Sequence, residues 1–142
     1  MVPDSEMNMS DSGMQGGCLC GAVRYEAIGK SRKVASCHCA MCRRHSGAAF
    51  LTYAAYPANS VRFLKGNPAD YRSSDHAVRG YCALCGSPLT FVFDSDPDTV
   101  WLTAGSLDDP NAVQPTEQWY VASKLNWAHL DDGVAQWRGA PA

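Results

Sequence analysis

Three closely spaced cysteines are the first feature of this sequence that could do chemistry. The stretch 37–47 reads CHCAMCRRHSG and places thiols at Cys37, Cys39 and Cys42. Thiolates are good zinc ligands, and a structural zinc site almost always takes four protein ligands. The stretch therefore predicts a metal site. It also raises the question of whether a fourth ligand comes from elsewhere in the chain or the fourth position stays open.

The other four cysteines form two pairs that are far apart in the sequence. Cys18 and Cys20 are spaced as C-x-C, and Cys82 and Cys85 as C-x-x-C, the usual chelating knuckle. Side chains two apart in a strand share a face, so both sulfurs of the first pair can point at one ion. Neither pair completes a tetrahedron, but together they do. We therefore predict a closed structural zinc site built from both pairs.

This grouping leaves Cys37, Cys39 and Cys42 to wrap a second ion. It is favoured because a local triad closes at little cost in chain entropy. An alternative joins Cys37 and Cys39 to the C-x-x-C pair and leaves the other three cysteines for the second ion. In the favoured grouping the second site has three protein ligands and an open position, which is the pattern of catalytic zinc.

A histidine offers another way to complete the second site, and both sites would then be structural. The candidates are His38, His45 and His76. His38 lies between two of the cysteines, so its side chain should point away from the ion. His45 follows Cys42 by three residues and could reach. We expect a water molecule or substrate in the fourth position instead.

Charge indicates what a three-thiolate site would bind. Zinc with three thiolates is a weaker Lewis acid than zinc on neutral imidazoles, and it suits a soft ligand such as a substrate thiol. A fourth thiolate adds negative charge, which Arg43 and Arg44 could balance, and an arginine can also hold a carboxylate through two hydrogen bonds. The alternative for both arginines is a solvated turn. His45 is the predicted proton-transfer residue, because its pKa normally lies near neutrality.

Composition limits the remaining possibilities. The chain has 142 residues, enough for one domain, with 46% hydrophobic residues and a net charge of −2. That charge argues against a nucleic-acid partner, and no segment is apolar enough to predict a membrane span. Residues 1–15 have no secretory signal and are predicted to be a disordered leader. An odd number of cysteines without an export signal favours metal over disulfides and a cytoplasmic location.

Short segments rich in β-forming residues dominate the chain and predict an all-β sandwich or barrel-like fold. The predicted strands cover residues 22–26, 48–56, 61–64, 69–73, 78–82, 89–93, 100–103 and 118–121. One short helix is predicted at 123–130. Gly86 should supply the left-handed turn after the cysteine knuckle. The aromatic residues, including Tyr53, Trp101 and Trp119, are expected in the core or in a pocket wall.

Several motifs resemble those of the glutathione-dependent formaldehyde-activating enzymes, a family that shares a domain with a centromere protein. They are GCLCG at 17–21, CHCAMCRRHSG at 37–47, RGYCALCGS at 79–87 and GSLDDP at 105–110. Trp127 is similar to a tryptophan found late in that domain, and Tyr81 stands where the family commonly has Phe. The resemblance covers about residues 16–138, which we predict to be the zinc domain.

The resemblance implies a β-tent fold of short antiparallel strands around a four-cysteine zinc. It also implies two Zn²⁺ per chain. By matched positions the structural ion lies on Cys18, Cys20, Cys82 and Cys85, and the catalytic ion on Cys37, Cys39 and Cys42. The family's reaction joins glutathione and formaldehyde to S-hydroxymethylglutathione and is classed with the carbon–sulfur lyases.

We therefore expect a zinc-dependent enzyme that acts on a thiol adduct, with a glutathione-like partner. Arg43 and Arg44 would hold carboxylates, and His45 or a water molecule would move the proton. The main alternative is a non-catalytic binding module in which both zincs are structural. A weaker alternative is a redox sensor that releases zinc on oxidation. A homodimer is expected on base rates alone.

Overall fold

The computed structural model of the protein describes residues 13–130 and 133–141. Most of the predicted leader, residues 1–12, lies outside the described residues. Its last residues, Met14 and Gln15, belong to the first strand. Within the described ranges, no helix is both long enough and apolar enough to cross a bilayer.

Eleven short strands in the described residues make an all-β fold, as the sequence predicted. They are β1 Met14–Gly17, β2 Arg24–Ala27, β3 Lys33–Cys37, β4 Leu51–Pro57, β5 Val61–Lys65, β6 Ala69–Ser74, β7 Ala77–Tyr81, β8 Pro88–Phe93, β9 Thr99–Thr103, β10 Glu117–Trp119 and β11 Ala135–Gln136. All eight predicted strands overlap strands of the structure. The strands β1, β3 and β11 were not predicted.

The strands form two sheets. One has three strands in the order β1-β2-β5, and the other has eight in the order β11-β10-β3-β4-β9-β8-β7-β6. Most neighbours are antiparallel, but β10 runs parallel to both β3 and β11. The larger sheet ends at β11 and β6, so the described part of the chain contains an open sheet and no closed barrel. Parallel neighbours need a long connection between them, and β10 is indeed far from β3 along the chain.

The one α-helix in the described residues is α1, Ala40–Ser46, and not the predicted helix at 123–130. That second segment holds a 3₁₀ turn, Val121–Ser123, followed by irregular backbone. There Lys124 Nζ donates to the carbonyl oxygens of Leu125 and Ala128, at 3.2 and 3.0 Å. Those carbonyls therefore have a side-chain partner without a continued helix. The helical prediction for 123–130 was wrong.

Buried residues fall into two clusters, and each contains cysteines. The first packs Tyr25, Tyr56 and Leu102 with Cys18 and Cys82. The second packs Tyr53, Trp101 and Trp119 with Cys37 and Cys42. Each cysteine group is therefore packed in part against the core.

Candidate metal centres and cavity

Two turns bring Cys18, Cys20, Cys82 and Cys85 together. After β1 the chain reverses, with Gly21 N donating to the Cys18 carbonyl at 3.2 Å and Gly21 in the left-handed region at φ +83°. The second turn is alike: Gly86 N donates to the Cys82 carbonyl at 2.8 Å, and Gly86 has φ +82°. Both glycines adopt a backbone conformation that other residues rarely take. The turn predicted at Gly86 is present.

One serine joins the two turns. Its hydroxyl accepts a hydrogen bond from Leu19 N at 2.9 Å and lies 3.1 Å from Cys85 Sγ. This residue, Ser87, follows the second turn directly and so fixes one cysteine pair against the other. Backbone N–H groups also face the sulfurs, with Val23 N donating to Cys18 Sγ at 3.2 Å. Such donors stabilise thiolates, which is the form a metal binds.

The spacing of these sulfurs fits a tetrahedral zinc site. The sulfurs of Cys18, Cys20, Cys82 and Cys85 all lie within 4.8 Å of one another. Cys18 and Cys20 are 3.6 Å apart, and Cys20 and Cys82 are 3.8 Å apart. A zinc–sulfur bond of ~2.3 Å gives a tetrahedral edge of ~3.8 Å. This cluster could therefore hold an ion with all four positions filled by protein.

The other three cysteines come from the end of β3 and the start of α1. Cys37 is the last residue of β3, and Cys39 is the N-cap of α1, with its sulfur accepting from Cys42 N at 3.3 Å. The helix ends at Gly47, which has φ +74° and bonds back to the Arg43 carbonyl at 2.8 Å. A single helical turn thus places Cys42 over the cap and beside Cys37.

This second cluster contains three sulfurs within 4.8 Å of one another. The sulfurs therefore lie in the same two groups that the ligand count favoured, not in the alternative grouping. Among the described residues, no histidine or carboxylate joins the three-cysteine group. Hydrogen bonds from the Cys37 and Cys42 thiols lower the pKa of Cys39. The bond between Cys37 and Cys39 in turn raises the pKa of Cys37. The cluster thus favours one thiolate, at Cys39, and three sulfur ligands suit a soft cation.

A buried arginine from β7 contacts the three-cysteine cluster. Arg79 is only 2% exposed, and its Nη2 donates to Cys42 Sγ at 3.5 Å. Its Nη1 donates to the Tyr53 hydroxyl at 2.8 Å, and its guanidinium lies 4.7 Å from the centre of the Phe91 ring. The Tyr53 hydroxyl and the Phe91 ring thus hold the positive charge of Arg79 next to the sulfur of Cys42. No role was predicted for Arg79 from the sequence, because it lies 37 residues from Cys42.

The cluster borders a cavity of about 470 Å³. All three cysteines line it, together with Arg79 and Tyr53. Aromatic side chains from β8, β9 and β10 supply much of the remaining wall, as expected for Tyr53, Trp101 and Trp119. A three-sulfur group with a cavity on one side can hold an ion and still admit a small molecule.

The three predicted catalytic residues lie on α1 and do not line this cavity. Arg44 is exposed, whereas Arg43 and His45 are half-buried. Within the described residues, the Nε of Arg43 and the Nε2 of His45 have no hydrogen-bond partner. Burial and the nearby Arg79 charge lower the pKa of His45, which favours the neutral form of its ring. The structure places Arg79, and not Arg43 or Arg44, in contact with a sulfur.

The other histidines have different environments. His38 is fully buried and points away from the cluster, as expected, with its Nε2 2.8 Å from Gln118 Oε1. This contact links the segment between β3 and α1 to β10. His76 is exposed and lines the cavity, whereas His129 is exposed outside it. Neither joins a cysteine group.

Comparison with known proteins agrees with this geometry. An uncharacterized lyase of Schizosaccharomyces pombe is 31% identical over 90 residues, which cover 63% of this chain and 65% of the relative. The match thus spans slightly less than two thirds of that relative's length. The crystal structure of a Rhodobacter sphaeroides protein shares the fold, with a TM-score of 0.56 and 23% identity over 87% of this chain and 99% of the other.

A family profile covers most of the folded chain. Residues 13–123 match the profile described as glutathione-dependent formaldehyde-activating enzyme. The matched range contains both cysteine clusters, Arg79 and most of the cavity wall. The chain therefore belongs to the glutathione-dependent formaldehyde-activating enzyme family.

Proposed function

We propose that this protein is a zinc-dependent lyase that makes or breaks a carbon–sulfur bond in a thiol adduct of formaldehyde or a related small aldehyde. Glutathione is the thiol that family membership suggests. One observation carries the proposal: a three-sulfur cluster lies in the wall of a cavity, with a buried cation against one sulfur. Lyase chemistry is also in line with the name of the fission yeast relative.

The two cysteine clusters would have different roles. Cys18, Cys20, Cys82 and Cys85 would hold a structural zinc, and Cys37, Cys39 and Cys42 would hold the second. Zinc bound at the second cluster would supply a position at which a substrate thiol stays ionised. The residues of the chain would then orient the substrate and balance its charge.

Arg79 is the residue we propose for charge balance. A thiolate that enters the cavity brings a second negative charge beside the cluster, and a permanently charged guanidinium already faces Cys42. Its bonds to Tyr53 and Cys42 hold it in one orientation, so little reorganisation accompanies binding. Arg43 and Arg44 remain predicted to assist with substrate carboxylates, from positions outside the cavity wall.

Proton movement remains assigned to His45 or a water molecule. Thiol addition releases the thiol proton and requires one at the new hydroxyl oxygen, so a neutral imidazole can serve as base and then acid. Single-turnover rates of His45→Ala test the assignment. A loss of roughly 10²–10⁴ in rate is expected for a proton-transfer residue, and an unchanged rate removes His45 from the mechanism.

Thiols and formaldehyde combine without a catalyst, so the assay must measure how fast the free compounds and their adduct interconvert. Two-dimensional exchange NMR on glutathione and formaldehyde gives the rate of interconversion with their adduct, with and without protein. We expect the intact protein to accelerate exchange and Cys39→Ser to remain folded without doing so. Equal rates with and without zinc-loaded protein would contradict the proposal.

We also propose a cytoplasmic location and a homodimer. All seven cysteines, which lie within the described ranges, are free thiols, and this suits a reducing compartment. Cell fractionation tests the location, and sedimentation tests the oligomeric state.

A further inference from the structure

One edge of the larger sheet is open. The strand β6 stands last in the order of the eight-stranded sheet and pairs only with β7. Within the described ranges, the backbone of β6 exchanges no hydrogen bond with the backbone of any loop or turn. Every second residue of such a strand points its N–H and C=O groups outward, where they can pair with another strand. This edge is therefore a place at which a further strand can add to the sheet.

The other three edge strands of the described residues are shorter and less suited to self-pairing. β6 has six residues, whereas β5 has five, β1 four and β11 two. The edge of β1 is partly covered, because the Gln15 carbonyl accepts a hydrogen bond from Asp108 N at 2.9 Å. β5 carries Arg62 and Lys65 and no acidic residue, so two copies of this edge carry charge of one sign. Short strands and basic residues are common protections of an edge. Thus β6 is the edge that offers a partner strand the most room.

The side chains on β6 carry charges of both signs. Asp70 and Arg72 are exposed and lie two residues apart, so they share one face of the strand. Tyr71 points to the other face and is 59% exposed. Opposite Asp70 on β7 lies Gly80, and Asp70 forms no ion pair with any described residue. Arg72 contacts Asp94 at 2.8 Å, but both side chains stay about half exposed. The acid and the base of this edge are therefore accessible to another chain.

Geometry limits how two copies of this edge can pair. In an antiparallel ladder, a residue that points its backbone outward must lie opposite another outward-pointing residue. Two identical edges related by a two-fold axis therefore pair with one residue opposite its own copy. With Tyr71 at that centre, Asp70 of each copy lies opposite Arg72 of the other. With Asp70 or Arg72 at the centre, like charges lie opposite each other. Because opposite charges across a strand pair stabilise it and like charges destabilise it, the register centred on Tyr71 is favoured.

We propose that two copies of this chain form a dimer by pairing their β6 strands in this register. The pairing uses the same surface on both copies, as in most homodimers, and joins the two eight-stranded sheets into one. The two Tyr71 side chains become direct cross-strand neighbours, and aromatic pairs of this kind add to stability. A guanidinium has five N–H donors, so Arg72 can hold Asp94 of its own chain together with Asp70 of the other.

The inference rests on the homodimer proposed above, to which it gives a surface, and is independent of the proposed reaction. It also places the second copy beside the cavity, which Ser73 and Ser74 of β6 line. The interface is small, since it consists of one pair of short strands and the side chains beside them. Interfaces at the low end of the size range form weak or transient complexes. We therefore expect monomer and dimer in reversible equilibrium.

Charge variants test the pairing by sedimentation velocity over a series of protein concentrations. Asp70→Arg leaves only basic side chains at the two positions, and Arg72→Asp leaves only acidic ones. Each variant alone should associate at least about tenfold more weakly than wild type, because two attractive cross-strand pairs become repulsive. An equimolar mixture of the two variants should associate as tightly as wild type, since opposite charges then face each other again. Asp109→Arg is the matched control, because it changes the net charge as Asp70→Arg does but lies outside the strands. It should dimerise like wild type.

Hydrogen exchange locates the interface. Where the wild-type dimer forms, alternate amides of β6 should gain protection, and those of Asp70→Arg should not. Circular dichroism and metal content show whether each variant is folded. If Arg72→Asp does not fold, loss of the dimer and of this protection in Asp70→Arg is the test. An Asp70→Arg dimer as tight as wild type, or two folded variants that stay monomeric when mixed, would refute the β6 surface and leave the proposed homodimer standing. Wild-type protein that stays monomeric at every concentration would refute both, and the proposed reaction would be unaffected.

Discussion

Replacing Arg79 with methionine tests the electrostatic design of the site. Methionine keeps most of the apolar stem and removes the charge that lies 3.5 Å from Cys42 Sγ. Sulfurs around one zinc are ~3.8 Å apart, so an incoming thiolate would lie within ~7 Å of the guanidinium. At an effective dielectric constant of ~20, two unit charges at that distance attract by about 2 kcal/mol. We therefore expect thiol affinity to fall by about 30-fold.

The assay uses 2-mercaptoethanol, a thiol whose other end is uncharged, and follows its binding to the cobalt-substituted protein. Arg79→Lys keeps the charge and should lose less affinity than Arg79→Met, although it cannot reproduce both hydrogen bonds. Arg62→Met is the control, because Arg62 is an exposed surface residue paired with Glu26. Wild-type affinity in folded, fully metallated Arg79→Met would refute the reasoning. If that variant does not fold, equal affinity of Arg79→Lys and Arg79→Asn would refute it instead.

Three further predictions concern stability. Cys82→Ser should fail to fold, because binding of a structural zinc contributes roughly 10–16 kcal/mol, whereas the free energy of unfolding of a whole domain is only about 5–15 kcal/mol. Cys39→Ser should fold and lack the second ion. Equal insolubility of both variants would contradict the division of roles. Burial raises the pKa of Tyr25 to about 12. The stability that comes from keeping this phenol neutral is therefore complete below about pH 10 and is lost as the pH rises from about 10 to 12. Tyr25→Phe should remove this decrease, which amounts to at most about 3 kcal/mol in the free energy of unfolding measured with denaturant. Gly80→Ala should lower the free energy of unfolding by about 1–3 kcal/mol, because its Cβ meets side-chain atoms of Thr90; Gly105→Ala, which meets nothing within 4 Å, should not.

The sequence predicted what depends on local pattern. Alternating and apolar runs predicted the eight strands, and the spacing of the cysteines predicted which sulfurs lie together. Gly86 was predictable because a left-handed turn after a C-x-x-C pair has few other solutions. These features are decided within ten residues, or by counting ligands.

The sequence did not predict what depends on long-range pairing. Arg79 reaches Cys42 only because β7, β8, β9, β4 and β3 are successive neighbours in one sheet. Trp119 and Tyr120 reach the cavity because β10 pairs in parallel with β3, and parallel pairing leaves no turn signal in the sequence. Position within the motif made Arg43 and Arg44 the predicted cations, although contact with the sulfur belongs to a residue of another strand.

The missed helix has a local explanation. The helix α1 has only seven residues, its N-cap is a cysteine, and its first turn has no acidic residue. Ordinary start signals are therefore absent. The bond from Cys42 N to Cys39 Sγ replaces the usual serine or aspartate cap. The same sulfur thus caps the helix and belongs to the metal cluster.

The most direct test of the central claim is zinc X-ray absorption on the fully loaded protein, before and after addition of a thiol. Two clusters of four and three sulfurs predict an average of about 3.5 sulfurs per zinc, rising to about 4 with thiol. An average that stays constant when the thiol is added, or a histidine signal that is already present at the second zinc, would contradict the account.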